Sequence, residues 1–328
     1  MLNVLLSPII TRNTSLYCVR FYSQSADKAL LYKLRKATGY TFSACKEALV
    51  KHENDLEKAK DWLAKEAVAR GWDKAGKLAG RSMSEGLLGV LGSRTRAVIV
   101  EVNCETDFVA RNNSFQSLVA VTAETVMQNY TEPTQISLDS DQLNKLTMPN
   151  SSTLQNIVAA AIGSIGESIK IRRAIGICVP EGSSSSRLAI YSHTSTEGIL
   201  QGIRDVRFGK YAAVIRYRPV NDKPANDAWH ERAARLGRQI CQHIVGMNPN
   251  PGLQPIHTVT STVTNPDEEK SLLLQPFLLD ETISVGEHLL RNEMILEDFI
   301  RVECGESDPV DTTKNVLPNE GQPVAQTS

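Results

Sequence analysis

Up to about residue 70 the apolar residues of this chain recur only at helical spacing. Near residue 95 a strand-like alternation takes over, which rules out a single all-helical bundle. Three helical blocks fill residues 27–70. In the first, Leu30, Leu31, Leu34 and Thr38 share a face, and Gly39 is a stop. Ser43 is a candidate cap for the second, which would bury Ala44, Cys45, Ala48 and Leu49. Asn54 and Glu57 have capping-box spacing ahead of Leu56, Ala59, Leu63 and Ala67. Such a bundle has a small core and reads as a module. The Gly, Lys and Ser content from Gly71 to Gly92 reads as a linker.

Strands are expected at TRAVIVEVN (95–103), IKIRRAIGICV (169–179), RLAIYSH (187–193), YAAVIRYR (211–218) and FIRVECG (299–305). Between them, Phe115, Leu118, Val119, Thr122 and Val126 mark a helix capped by Asn113 or Ser114. Leu154, Ile157, Val158, Ala161, Ile162 and Ile165 mark another, and Trp229, Ala233, Leu236, Ile240 and Ile244 a third. A Pro- and Thr-rich connection (249–266) precedes a last helix near 285–290. This pattern predicts an α+β fold with two similar small sheets. The expected divisions are a targeting segment (1–22), the three-helix module (23–70), a linker (71–92), two core subdomains (93–172 and 173–305) and a disordered tail (306–328).

The formal net charge of −1 provides no basic field for nucleic acid. Six cysteines lie far apart without a CxxC pair, against a zinc site or a disulfide framework. No apolar run has the length of a membrane span. Residues 1–26 contain Arg12 and Arg20, several hydroxyl residues and no acid, the composition of a mitochondrial transit peptide. The sequence Arg20-Phe21-Tyr22-Ser23 resembles a matrix-protease site, and removal of 1–22 takes the formal charge from −1 to −3.

Enzyme motifs fail on inspection. Gly71 to Lys77 fits the start of a P-loop, but Leu78 stands where a hydroxyl is needed, and the segment follows a helix. Gly86, Gly89 and Gly92 lack the GxGxxG pattern and precede a strand. No HExxH, GxSxG or marked nucleophilic cysteine occurs. No cofactor, metal site or catalytic residue is expected.

One stretch stands out: Thr106-Asp107-Phe108-Val109-Ala110 places a carboxylate and an aromatic where a strand stops. VNCETDFVARNNSF (102–115) resembles the VNCxTDFVA(K/R)N stretch of elongation factor Ts, the guanine-nucleotide exchange factor of translation. LRKATGYTFSACKEAL (34–49) is similar to that family's LRxxTGxxxxxCKxAL. IGESIKIRR (165–173), LLLQPFLLDETISVG (272–286) and FIRVECGE (299–306) resemble further family segments, so the likeness spans about residues 28–306 in order. With the presequence, it points to the mitochondrial branch and to the matrix.

The resemblance implies a ubiquitin-associated-like helical module and a core of two related antiparallel-sheet subdomains packed with helices. It implies a partner, the GTPase mitochondrial elongation factor Tu, and no direct binding of nucleotide, nucleic acid or membrane. By motif, Asp107 would disturb the polar contacts around the partner's magnesium, and Phe108 would wedge between its side chains. Lys46 would contact the GTPase from the helical module, and Ile165, Gly166 and His193 would share the contact surface. Each residue has an ordinary alternative: Phe108 as core, Asp107 as a cap, Lys46 as a solvated charge, Ile165 as a buried helix face, Gly166 as a helix stop. His193 follows an apparent insertion, Glu181 to Arg187. Between Val245 and Gln275 the segment is short and Pro-rich where the bacterial pattern has a long helical hairpin. Two other functions remain as alternatives: an interaction adaptor built on the helical module alone, and a small-molecule enzyme.

Overall fold

The computed structural model describes residues 25–306, apart from 79, 131–134, 181, 184, 194–204, 222–226, 254–264 and 266–267. The expected transit peptide, the polar tail beyond residue 306 and much of the Pro- and Thr-rich connection lie outside the described residues. The chain divides into two compact units, one ending at Leu63 and one beginning at Ala64.

In the helical unit, Asp27 starts α1 (Lys28–Thr38) by accepting the N–H groups of Ala29 and Leu30 at 2.8 and 2.9 Å. Gly39 ends it in the left-handed conformation, φ +74°. The cap of α2 (Phe42–Lys51) is Thr41 and not the expected Ser43, because Thr41 Oγ1 accepts the Ala44 N–H at 3.3 Å. Helix α3 (Leu56–Leu78) starts from Asp55, whose Oδ1 accepts the Lys58 N–H at 3.1 Å. Asn54, the expected cap, instead turns left-handed (φ +63°) and accepts the Asp27 N–H at 2.9 Å. Leu31, Leu34, Cys45, Leu49, Ala59 and Leu63 form the unit's core.

The expected linker at 71–92 is replaced by ordered structure. Helix α3 continues to Leu78, and Glu85–Gly92 is strand β1. Several of the glycines that suggest flexibility, Gly71 and Gly89 among them, serve close packing. A Cβ on Gly71 would fall 1.7 Å from Ala159 O, and one on Gly163 would fall 2.1 Å from Ala67 O. The second half of α3 therefore crosses α7 (Leu154–Ile165) with the two backbones in contact. In β1, a Cβ on Gly89 would lie 2.7 Å from Val119 Cγ1. The strand accepts the helix above it only because that side chain is missing.

Five strands form the first sheet, in the order β3 (Ile136–Asp139), β4 (Ile169–Cys178), β2 (Arg96–Cys104), β1, β6 (Arg207–Gly209), with every pair antiparallel. The second sheet has the order β8 (Met294–Glu303), β7 (Tyr211–Pro219), β5 (Arg187–His193). Side-chain alternation sorts each strand between two cores. Val98, Val100 and Val102 of β2 face Phe115 and Val119 of α5 (Asn113–Asn129) and Leu154 and Ile162 of α7. Ala97 and Ile99 face the other way, with Leu88 and Val90, onto Leu188, Ala212 and Val214 of the second sheet. The outer face of that sheet, Ala213, Ile215 and Tyr217, lies under Trp229, Leu236 and Ile240 of α8 (Asp227–Met247). The core is thus four layers: helices, sheet, sheet, helices. This is the expected α+β architecture of two antiparallel sheets packed with helices. The expected boundary at 172/173 cuts through β4, which belongs wholly to the first sheet, and β6 returns from beyond that boundary to pair with β1.

A buried carboxylate ties the sheets together. The Glu101 side chain is fully buried and accepts from Arg172 Nη1 (3.0 Å), Arg173 Nε (2.7 Å), the Gly305 N–H (2.8 Å) and Asn103 Nδ2 (3.2 Å). Two adjacent arginines cannot normally reach one group from a flat strand. The pairing shifts between Glu101↔Arg173 and Val102↔Ile171, so Arg172 is the extra residue of a bulge that turns both toward Glu101.

Candidate functional site

Strand β2 delivers its last residues to a single helical turn, α4 (Asp107–Ala110). Thr106 caps it, and its Oγ1 accepts the Val109 N–H at 3.4 Å. Val109 and Ala110 are buried in the first core, so the 3.6-residue period turns the opposite face of the same helical turn outward. Phe108 is 76% exposed, which excludes the core alternative. Asp107 does not cap α4; Thr106 does. Asp107 Oδ2 meets Arg111 Nη2 at 2.6 Å, and the Arg111 guanidinium lies 5.9 Å from the centre of the Phe108 ring. This ion pair is solvent-exposed on both sides and contributes little to stability, so the carboxylate is available to a competing partner.

A second turn stands beside this one. Helix α7 ends at Gly166, left-handed at φ +92°, whose N–H bonds to Ile162 O at 2.9 Å. Glu167 then points back to the Thr106 hydroxyl, with Oε1 and Oε2 at 3.1 and 3.0 Å. The Ser168 N–H donates to Glu105 Oε1 at 2.8 Å, and Arg81 meets Glu105 Oε2 at 3.0 Å. The Ser168 amide, followed by Arg81, holds the Glu105 carboxyl below its ordinary pKa. Lys74 Nζ approaches Gly163 O at the C-terminal end of α7, 3.4 Å away.

The structure therefore brings together four of the expected site residues: Asp107, Phe108, Ile165 and Gly166. Ile165 is half-buried against the first core, whereas Gly166 is exposed. Both ordinary alternatives hold for them in part, since Ile165 packs and Gly166 stops its helix. Lys46 is exposed on α2 of the helical unit. His193 ends β5, exposed, with Nδ1 3.1 Å from Tyr191 Oη. It lines a groove of 590 Å³ with Tyr211, Gln242 and the exposed Leu278 and Leu279. His193 O accepts the Lys210 N–H at 2.8 Å, Lys210 Nζ reaches Glu85 at 2.5 Å, and Glu85 pairs with Cys104. The Asp107–Phe108 turn and His193 thus share one end of the two-sheet core.

Sequence reasoning missed Glu105, Thr106 and Glu167 as a group. All three stand inside the quoted motifs, but nothing in spacing pairs positions 106 and 167. Burial pushes the Cys104 and Cys304 thiols up to about 12, so neither is a thiolate near neutrality.

Comparison with known proteins adds an independent finding. Residues 14–73 match a family model described as elongation factor Ts, mitochondrial, N-terminal, and residues 105–253 match one described as elongation factor TS. Proteins named elongation factor Ts, mitochondrial, are similar over most of their length. The one from Aedes aegypti is 36% identical, covering 89% of this chain and 92% of its own. That from Xenopus laevis is 38% identical, covering 86% and 88%. That from Drosophila melanogaster is 39% identical, covering 87% of each.

Proposed function

Since the chain belongs to the elongation factor Ts family and is a mitochondrial protein of translation elongation, we propose that it docks on mitochondrial elongation factor Tu and drives release of GDP. The observation that carries this reading is the 76% exposure of Phe108 on a turn whose next two residues are anchored in the core. A large ring held in water on a rigid support is what a partner pocket captures as a hot spot. Asp107, adjacent and paired with Arg111 only in a solvent-exposed contact, brings a negative charge to the same place. In this proposal the charge competes for the cationic surroundings of the bound nucleotide while the ring separates the side chains that hold it. Gly166 and Ile165 supply the neighbouring contact surface, His193 a third contact, and Lys46 one from the helical unit.

No covalent step is required. A protein that binds the nucleotide-free GTPase more tightly than its GDP form weakens GDP binding by the same factor. GDP release from purified mitochondrial elongation factor Tu, followed with and without this protein, tests the proposal. Acceleration at substoichiometric amounts is expected; an unchanged rate at saturating amounts would overturn it.

The helical unit is proposed to add affinity without causing release. Because the division falls at Leu63, a chain starting at Ala64 keeps the half of α3 that packs on α7. Such a chain is expected to need higher concentration for half-maximal exchange while keeping its maximal rate. Exchange by residues 25–63 alone would contradict this division of labour. Residence in the matrix is supported by the acid-free N-terminal segment, with cleavage expected before Ser23. N-terminal sequencing of the mature protein checks it, and a chain still beginning at Met1 would sink it.

A further inference from the structure

We infer that Glu167 and Thr106 form a positioning clasp for the Asp107–Phe108 turn. The inference rests on the exchange reading above and adds residues that touch neither nucleotide nor its magnesium.

The Thr106 hydroxyl has one proton and two acceptor positions. Its proton goes to Glu167, since both carboxylate oxygens lie within 3.1 Å, and its oxygen accepts the Val109 N–H. Glu167 therefore fixes the rotamer of the residue that caps α4. Burial of Val109 and Ala110 turns the pair outward, and the cap fixes where the helical turn begins and so the angle at which Asp107 and Phe108 are presented. A four-residue helix has too few internal bonds to hold that angle by itself, beyond the direction its two core residues set.

Glu167 is itself held. The left-handed turn at Gly166 reverses the chain after α7, and the next amide, Ser168 N–H, is bonded to Glu105 Oε1 at 2.8 Å. Two hydrogen-bonded links, 105 to 168 and 106 to 167, therefore cross between the same two loops in register. Gly166 has a role of its own here. An added Cβ would meet only Lys74 Nζ, at 3.9 Å, so the position needs glycine for backbone conformation, not for space.

A clasp of this kind acts on the release step and not on docking. Displacement of the ring by about an ångström costs on the order of tenfold to a hundredfold where geometry is critical. The docking surfaces on the helical unit and the second sheet are untouched. Glu167→Ala and Thr106→Val are each expected to lower the maximal rate of GDP release on the order of tenfold, with the half-saturating concentration nearly unchanged. Glu167→Gln and Thr106→Ser keep an acceptor and a hydroxyl, and should release GDP at the parent rate. Amide hydrogen exchange at Val109, which needs no partner, should quicken in Glu167→Ala.

The decisive comparison is Glu167→Ala in a Phe108→Ala background. With no ring to aim, the added substitution should have no further effect. A full tenfold loss in that background, or a parent-like maximal rate for Glu167→Ala beside a slow Phe108→Ala, would overturn the clasp alone. Parent-like release by Phe108→Ala itself would overturn both the clasp and the exchange reading.

Discussion

Phe108→Ala is expected to melt at nearly the parent temperature and to slow GDP release from the partner GTPase by about 30-fold or more. The two halves of this outcome have separate causes. Truncating a buried phenylalanine costs about 3–5 kcal/mol, but this ring is 76% exposed and lies outside the packed cores, so the free protein loses little. In the complex, truncation of a central aromatic anchor costs about 2 kcal/mol or more, and each 1.4 kcal/mol is about a factor of ten. Asp107→Ala should act in the same direction, and the pair should be less than additive because both serve one contact. Stopped-flow release of labelled GDP together with a thermal melt separates the alternatives. Parent-like release would remove the wedge, and a collapsed melting temperature would return the ring to the core.

Glu101→Ala is expected to destabilise the fold by about 3–5 kcal/mol, the usual cost of breaking a buried ion pair from one side. The substitution leaves two guanidinium groups, 15% and 20% exposed, and the Gly305 N–H without their shared acceptor. Arg172 retains more solvent contact than Arg173, so Arg172→Met should cost less than removal of the carboxylate. Equilibrium unfolding in urea measures both. A Glu101→Ala protein within about 0.5 kcal/mol of the parent would show that bulge and strand pairing hold this region without the charge.

What could be read from the sequence depended on how local the cause was. The three helical blocks, α5, α7 and the alternating strands β2 and β7 follow from periodicity over ten residues or so. Strand β1 was missed because Gly86, Gly89 and Gly92 imitate linker composition, whereas Gly89 is excluded from bearing a side chain by Val119, thirty positions away. The same holds for Gly71, whose neighbour Ala159 belongs to another helix. Thr41 and Ser43 are equivalent hydroxyl candidates two residues apart, so sequence alone does not separate the expected Ser43 from Thr41, which the backbone uses as the cap of α2. At the site, the motif identified Asp107 and Phe108 through resemblance, while their outward direction required knowing that Val109 and Ala110 point into the core. The partnership of Thr106 with Glu167 is a consequence of the fold alone.

The return of β6 to β1 bears on the order in which the molecule can assemble. Gly89 pairs with Phe208, and Glu101 waits for the amide of Gly305, almost the last described residue. Contacts so distant along the chain are closed late, because the entropy of the intervening loop is lost before the contact forms. A polypeptide emerging N-terminus first, from a ribosome or through a translocation pore, can fold residues 25–63 from local contacts. It cannot complete its first sheet until residue 209 is out, nor supply the last hydrogen bond to its central carboxylate, already paired with Arg172 and Arg173, until residue 305 follows. Until the last strand of the second sheet, Met294–Glu303, has followed, a strand edge and an apolar face stand open, so a chain stopped before Met294 should behave as a chaperone client instead of a slightly weakened protein.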